Sequence, residues 1–231
     1  MLNEWLWIPS AILTLGLLVL SYKLFGRVGL YAWIAMASVV ANIQVTQQIV
    51  IGGYIFTLGN IVYGSLYLAT DILNEKHGRA AARKGVWLGF FILIVSTVLM
   101  QYALLYEPFE EALFMHESFE ALFSMLPLIT IGSLAAYLVS QLFDVFVYSK
   151  IRAKTGEKKL WLRTTGSTVL SQLIDTFTFC IIAFWGMEWD IWWNIFITTY
   201  VAKFVIAWMA TPFMYYAKRT NPQDESEQDA A

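Results

Sequence analysis

Seven apolar runs, each close to or above the ~20 residues a helix needs to cross a bilayer core about 30 Å thick, alternate along the chain with short charged turns. They cover residues 5–22, 28–50, 54–73, 85–106, 121–148, 164–187 and 191–216. The pattern predicts an all-α integral membrane protein, a bundle of seven transmembrane helices. The second and third runs are divided at Ile51-Gly52-Gly53, because an unbroken helix over residues 28–73 would overspan any bilayer. The first run reads as a retained helix and not a secretory leader: Asn3-Glu4 stands where a leader carries positive charge, and the apolar stretch is too long. Residues 107–120 mix acids with Phe109, Leu113, Phe114 and Phe119, the pattern of a short helix lying on the membrane surface. One polytopic membrane domain is therefore expected over residues 1–220, followed by a disordered acidic tail over 221–231.

Composition agrees with this division. Of the 231 residues 58% are hydrophobic and 14% charged, with a mean hydropathy of +0.59. A soluble domain carries about 25% charged residues, and a disordered chain needs low hydrophobicity and high net charge, so both classes are excluded. A net charge of −2, with basic residues confined to short turns, leaves no basic face for nucleic acid. The single cysteine, Cys180, lies in an apolar run and cannot form an intrachain disulfide.

Lysine and arginine orient the bundle. Fourteen of the fifteen fall in the turns on one side, from Lys23 and Arg27 through Lys76–Lys84 and Lys150–Arg163 to Lys218 and Arg219; only Lys203 lies within a span. The opposite side holds Glu4, Glu107, Glu110, Glu111, Glu117, Glu120, Glu188 and Asp190. The positive-inside rule then sets the N-terminus out and the C-terminus in. Tryptophans such as Trp5, Trp189 and Trp193 at the outer ends and Trp87 and Trp161 at the inner ends form the expected aromatic belts.

Ionisable side chains at hydrocarbon depth cost roughly 2.5–3.5 kcal/mol each and call for a partner or a purpose. Asp175 lies near the middle of the sixth span and Lys203 near the middle of the seventh, with Asp71 and Asp144 toward the inner ends of the third and fifth. Helical spacing aligns Asn60, Gly64, Tyr67, Asp71 and Glu75 in one stripe, and pairs Gln141 with Asp144, Ser171 or Gln172 with Asp175, and Asn42 with Thr46. Lipid penalises these stripes, so they should turn inward and enclose a polar cavity. Asp175 and Lys203 are expected to pair; the plain reading is a structural pair, the richer one a pair that also serves substrate. Gly85 and Gly89 read as a close-packing seam.

Catalysis finds no support. His77 and His116 fall in turns, away from any serine at membrane depth, no His or Cys cluster offers metal ligands, and Asp144 and Asp175 lack the YD or GxGD setting of an aspartyl protease. The chain is read as no enzyme, without cofactor or metal.

Leu68-Ala69-Thr70-Asp71-Ile72-Leu73-Asn74-Glu75-Lys76-His77-Gly78, followed by Ala82-Arg83-Lys84, resembles the family of queuosine precursor transporters, also called the vitamin uptake transporter family. Ser140-Gln141 with Asp144, Trp161 with Arg163, Ser171-Gln172 with Asp175-Thr176, and Tyr200 with Lys203 and Thr211-Pro212 follow in that family's order and spacing. The resemblance extends from about Val39 to Tyr216 and marks residues 5–22 as an extra helix outside a six-helix core, 28–216, similar in layout to the substrate-binding subunits of energy-coupling-factor importers.

What the resemblance implies is import of a 7-deazaguanine such as preQ0 or preQ1, or of queuine, across a bacterial or archaeal plasma membrane. The residue chemistry fits. A guanine-like edge presents N1–H and an exocyclic amine that one carboxylate can accept together, and an O6 that accepts from Lys, Asn or Gln. Asp175 or Asp144 suits the first contact, and Lys203, Gln141, Gln172 or Asn60 the second; Tyr67, Phe143 and Phe179 are available to stack on the ring. Asn42 and Asp71 complete the expected binding set, and Glu75 and Arg163 are expected at the cytoplasmic gate. The expected partners are the deazapurine and the bilayer, with a homodimer allowed and no nucleic acid. The alternative from another class is a substrate-binding subunit that captures the ligand for a separate ATP-driven energising complex.

Overall fold

The computed structural model describes residues 2–155, 160–220 and 222, and the side chains of these apart from residues 79, 141–142 and 144–169. The tail expected over 221–231 lies, Pro222 excepted, outside the described residues. In order the elements are α1 (Leu2–Gln44), β1 (Gln48–Ile51), β2 (Tyr54–Thr57), α2 (Asn60–Ala103), a single 3-10 turn (Glu110–Ala112), α3 (Leu113–Phe123), α4 (Leu126–Thr155), α5 (Leu160–Ala183) and α6 (Trp189–Arg219).

A straight helix of the 43 residues in α1 would run about 65 Å, twice a bilayer core. The chain instead reverses at Gly26, whose φ of 50° and ψ of −136° are open to glycine and strained for other residues. Ser21 Oγ donates to the carbonyl of Gly29 at 3.2 Å, a contact between positions eight apart that only a folded-back chain can make. The same device divides α2 at Gly78, with φ 80° and ψ 171°. Around that turn Leu73 packs so closely on Gly85 that a Cβ at Gly85 would lie 2.9 Å from its Cδ1. Charge explains both positions, since Lys23 and Arg27 flank the first break and Lys76 and Arg79 the second.

One expected boundary is corrected. The second and third apolar runs do not meet as helices at residues 50 and 54: α1 stops at Gln44, α2 starts at Asn60, and an antiparallel hairpin lies between. It pairs Gln48 with Thr57 and Ile51 with Tyr54, leaving Gly52 and Gly53 as a two-residue turn with φ of 59° and 85°. A type I′ hairpin turn requires positive φ at both central positions, which two glycines adopt without steric penalty. The expected surface helix over 107–120 is shifted too: it runs Leu113–Phe123, with Phe123 buried, and the following helix begins at Leu126 rather than 121.

Hydrogen bonds fasten the hairpin to the helices around it. Asn3 Nδ2 donates to Val50 O at 3.1 Å, Gly52 N to Glu4 Oε1 at 3.1 Å, and Ile55 N to Asn194 Oδ1 at 2.9 Å, while Thr198 Oγ1 donates to Ile55 O at 2.6 Å. Gly26, Gly78 and Lys218 mark the opposite, basic end, where Lys218 Nζ reaches Glu75 Oε1 at 2.5 Å and Lys76 Nζ donates to the Lys218 carbonyl at 3.1 Å. The two larger apolar clusters among the described residues fill most of the bundle. Leu15, Leu18 and Tyr22 meet Leu30, Ile34, Ile72 and Leu73 toward the basic end, and Val45, Phe179, Phe184, Trp192 and Ile195 pack beneath the hairpin. Gly85 and Gly89 both lie against Ile34, the close approach their spacing predicts. Outward, large apolar side chains such as Trp5, Phe91 and Trp208 remain bare. Four helical stretches among the described residues, Leu2–Gln44, Ala80–Ala103, Glu110–Ser140 (running through α3 into α4) and Trp189–Arg219, are long and apolar enough to cross a membrane. The fold is that of an all-α membrane protein with one small β-hairpin.

Candidate functional site

Two charges that cannot remain single in a bilayer find each other. Asp175 on α5 and Lys203 on α6 pair at 2.6 Å between Oδ2 and Nζ, with 1% and 6% of their side chains exposed. Ser140 Oγ on α4 donates to the other carboxylate oxygen at 3.3 Å. The ammonium also lies over the ring of Tyr63, 4.9 Å from its centroid, a favourable site because the ring face is negative. Tyr63 and Tyr67, one helical turn apart on α2, meet edge to face at 5.2 Å, and Tyr67 OH donates to Tyr63 OH at 3.3 Å.

These tyrosines stand among three hollows. A cavity of about 280 Å³ lies between α2, α4, α5 and α6, lined by Gly64, Tyr67, Asp71, Ser140, Ser171, Gln172, Asp175 and Lys203. A second, of about 610 Å³, lies between α1, α2 and α4 and is lined by Ser38, Asn42, Tyr63, Tyr67, Asp71, Asn74, Arg83, Ser133 and Tyr137. Tyr67 and Asp71 belong to both, so they form the shared wall. Asn74 and Arg83 are exposed and belong to the basic end, so the larger cavity reaches water there. Toward the hairpin a void of about 20 Å³ lies past Lys203, bounded by Asn42, Asn60, Phe179 and Thr199. That is room for a water molecule and nothing larger.

Most of the expected site residues with described side chains converge here. Asp175, Lys203, Gln172, Tyr67 and Asp71 line the smaller cavity. Asn42 is buried between the larger cavity and the void; its Nδ2 donates to Ser38 O at 2.6 Å and its Oδ1 accepts from Ser133 Oγ at 2.7 Å. Asn60 borders only the void, where its Nδ2 donates to Thr57 Oγ1 at 2.9 Å, and Phe179 likewise stays out of both cavities. Glu75 points to the basic end and is bound by Lys218, outside either cavity. That ammonium's hydrogen bond and charge hold the Glu75 carboxyl below the usual carboxylate range and raise the Lys218 amine in return. Gln141, Asp144 and Arg163 lie outside the described side chains.

Sequence reasoning passed over Tyr63, Ser133 and Tyr137, and named Ser140 only within the family motif. The signal was present, since 133, 137 and 140 continue the helical stripe that ends at Asp144. The serine hydroxyls are on side chains short enough to be read as helix glue. The assembled chemistry is that of recognition: an ion pair, hydroxyls, amides and ring faces. Among the described residues no three His, Cys, Asp or Glu cluster as a metal site needs.

Residues 57–217 match the family model described as "Putative vitamin uptake transporter". Among curated relatives, a Bacillus subtilis protein named "Probable queuosine precursor transporter" is 45% identical over 97% of this chain and 99% of its own length. A Haemophilus influenzae protein of the same name is 35% identical over 56% of this chain and 52% of its own, and the Escherichia coli "Queuosine precursor transporter" is 26% identical over 71% and 70%. No solved structure matches.

Proposed function

The chain belongs to the vitamin uptake transporter family, and on that footing we propose that it imports a queuosine precursor, a 7-deazaguanine such as preQ0 or preQ1 or the base queuine, by alternating access. The halves of α1 and α2 about Gly26 and Gly78, with α4, α5 and α6, serve as seven crossings, N-terminus outside and C-terminus inside a bacterial or archaeal plasma membrane. The lysines and arginines gathered at the Gly26 and Gly78 end support that orientation. The described state is then open to the cytoplasm and closed outward by the hairpin and the layer beneath it.

The observation that carries this reading is the buried Asp175–Lys203 pair facing a cavity large enough for a bicyclic base. An ionised carboxylate oxygen accepts more than one hydrogen bond, so Asp175 can hold Lys203 and Ser140 and still receive the N1–H and amine of a guanine-like edge. Lys203 has further protons to give to O6. Tyr67 offers a ring face in the same cavity. Asp71, Gln172 and Asn42 serve as the remaining polar contacts, Gln141 and Asp144 of α4 belong to the same binding set, and Glu75 and Arg163 act at the cytoplasmic mouth.

Uptake by this single chain, expressed in cells without precursor import, tests the proposal. Transport of at least one of preQ0, preQ1 and queuine, with guanine as the comparison and with loss in Asp175→Asn and Lys203→Ala, is the expected result. Binding without uptake would make the chain a capture subunit for a separate energising complex, and no response to any of the ligands would end the assignment of substrate.

A further inference from the structure

We infer that a groove on the outer face of the bundle, between the first half of α1 and the last turns of α6, is a site for an anionic phospholipid, with one acyl chain in the groove and the headgroup phosphate against Lys23. The groove has a volume of about 520 Å³ and shares no lining residue with the polar hollows. Its place on the outside of a membrane-spanning bundle makes lipid the molecule that covers it.

Shape and charge select the lipid. Gly16, Leu20 and Lys23 follow one another along the same face of α1, and Phe213 and Tyr216 form the facing wall on α6. An ideal Cβ built on Gly16 meets nothing within 4 Å, so the trough exists because that position has no side chain. Pro212, also at the groove, adds only a compact ring. Lys23 is the one charged residue of the lining, and it lies at the basic end, across the Gly26 break from Arg27. No carboxylate lines the groove, and Glu75 at the same end is already engaged by Lys218. A phosphate beside Lys23 thus gains a cation, while the quaternary ammonium of a choline headgroup gains no anion; a headgroup of net negative charge is favoured.

The test measures lipid retained by the purified full chain in native mass spectrometry after exposure to phosphatidylglycerol, phosphatidylcholine or sn-glycerol 3-phosphate. Phosphatidylglycerol should be retained about fivefold more than phosphatidylcholine, and glycerol phosphate not at all. Gly16→Leu, which fills the trough with a better helix former, and Lys23→Gln should each bring phosphatidylglycerol down to the phosphatidylcholine level. Equal retention of the two lipids in the unmodified chain overturns the inference. Unchanged retention in Gly16→Leu overturns it too, because attraction to the basic end alone would then suffice, and glycerol phosphate binding as well as the lipid would remove the acyl chain from the site. Should Gly16→Leu fail to fold, Lys23→Gln with the lipid comparison still decides.

Discussion

Lys203 and Asp175 neutralise each other at 2.6 Å, both almost wholly buried. Breaking such a pair from one side strands a charge and costs about 3–5 kcal/mol, whereas replacing both partners by apolar residues is often neutral or stabilising. That asymmetry separates packing from recognition. Asp175→Asn and Lys203→Ala should each lower the melting temperature in detergent, and the double substitution Asp175→Leu with Lys203→Met should recover most of the loss. Ligand-induced stabilisation should be absent from all three. If the double variant still responds to ligand, the pair is structural only.

Gly64 sets how closely α2 and α6 approach beside that pair. A Cβ there would overlap Cγ2 of Ile206, a fully buried residue. Gly64→Ala should therefore destabilise the protein by about 1–3 kcal/mol through overpacking. Ile206→Ala in the same chain should return part of it by making room. Thermal melts of the two single variants and the double variant measure this coupling, and additive losses would mean that the helices are not in contact through these positions.

The buried pair was legible in the sequence because only one lysine and one mid-span aspartate stand far from any turn, and hydrocarbon leaves them little choice but each other. The helical reversals were legible for the opposite reason: Lys23, Arg27, Lys76 and Arg79 must reach water, so the chain turns between them at Gly26 and Gly78. The hairpin was concealed by composition. Gln48–Ile51 and Tyr54–Thr57 are as apolar as a helix end, and hydropathy alone merges them with the helices on either side. Gly52-Gly53 marks the division in the sequence, but its setting between two short runs rich in β-branched and aromatic residues, the signature of a two-residue hairpin turn, is what separates a hairpin from a break between helices. The site itself was legible in its charges and less so in its hydroxyls. Ser133, Tyr137 and Ser140 are individually too ordinary to single out, and their partners on α1 and α5 cannot be assigned before the helices are packed.

At the basic end, the contact between Glu75 and Lys218 should be sensitive to pH and salt. The carboxyl titrates below its ordinary value, so its contribution is fully present above the unfolded value of about 4.3 and is lost as pH falls through the lowered value. The amine titrates above its ordinary value, so its contribution holds below about 10.4 and fades as pH rises through the raised value. Both groups are exposed, and screening keeps the effect small. Glu75→Gln should lower the melting temperature slightly at neutral pH and low salt, and should differ less from the unmodified chain at about 1 M salt. A difference that persists in high salt would show that Glu75 acts through something other than charge.

The two aspartates of the smaller cavity invite opposite outcomes. Asp175 is held by Lys203 and Ser140, while Asp71 lines the wall shared by both cavities and has no side-chain partner among the described residues. Removing the charge at Asp71 strands nothing, so Asp71→Asn should melt within about 0.5 kcal/mol of the unmodified chain, in contrast to Asp175→Asn. Its open coordination leaves it available to a donor on the ligand or to a transported proton. On the proposed function, loss of one charged hydrogen bond should weaken uptake about tenfold to a hundredfold. Measuring uptake with and without an imposed pH gradient divides those roles: a ligand contact lowers uptake equally in both conditions, whereas a proton carrier loses only the component driven by the gradient. Unimpaired uptake in both conditions would remove Asp71 from the transport path and leave the ion pair on α5 and α6 as its acidic determinant.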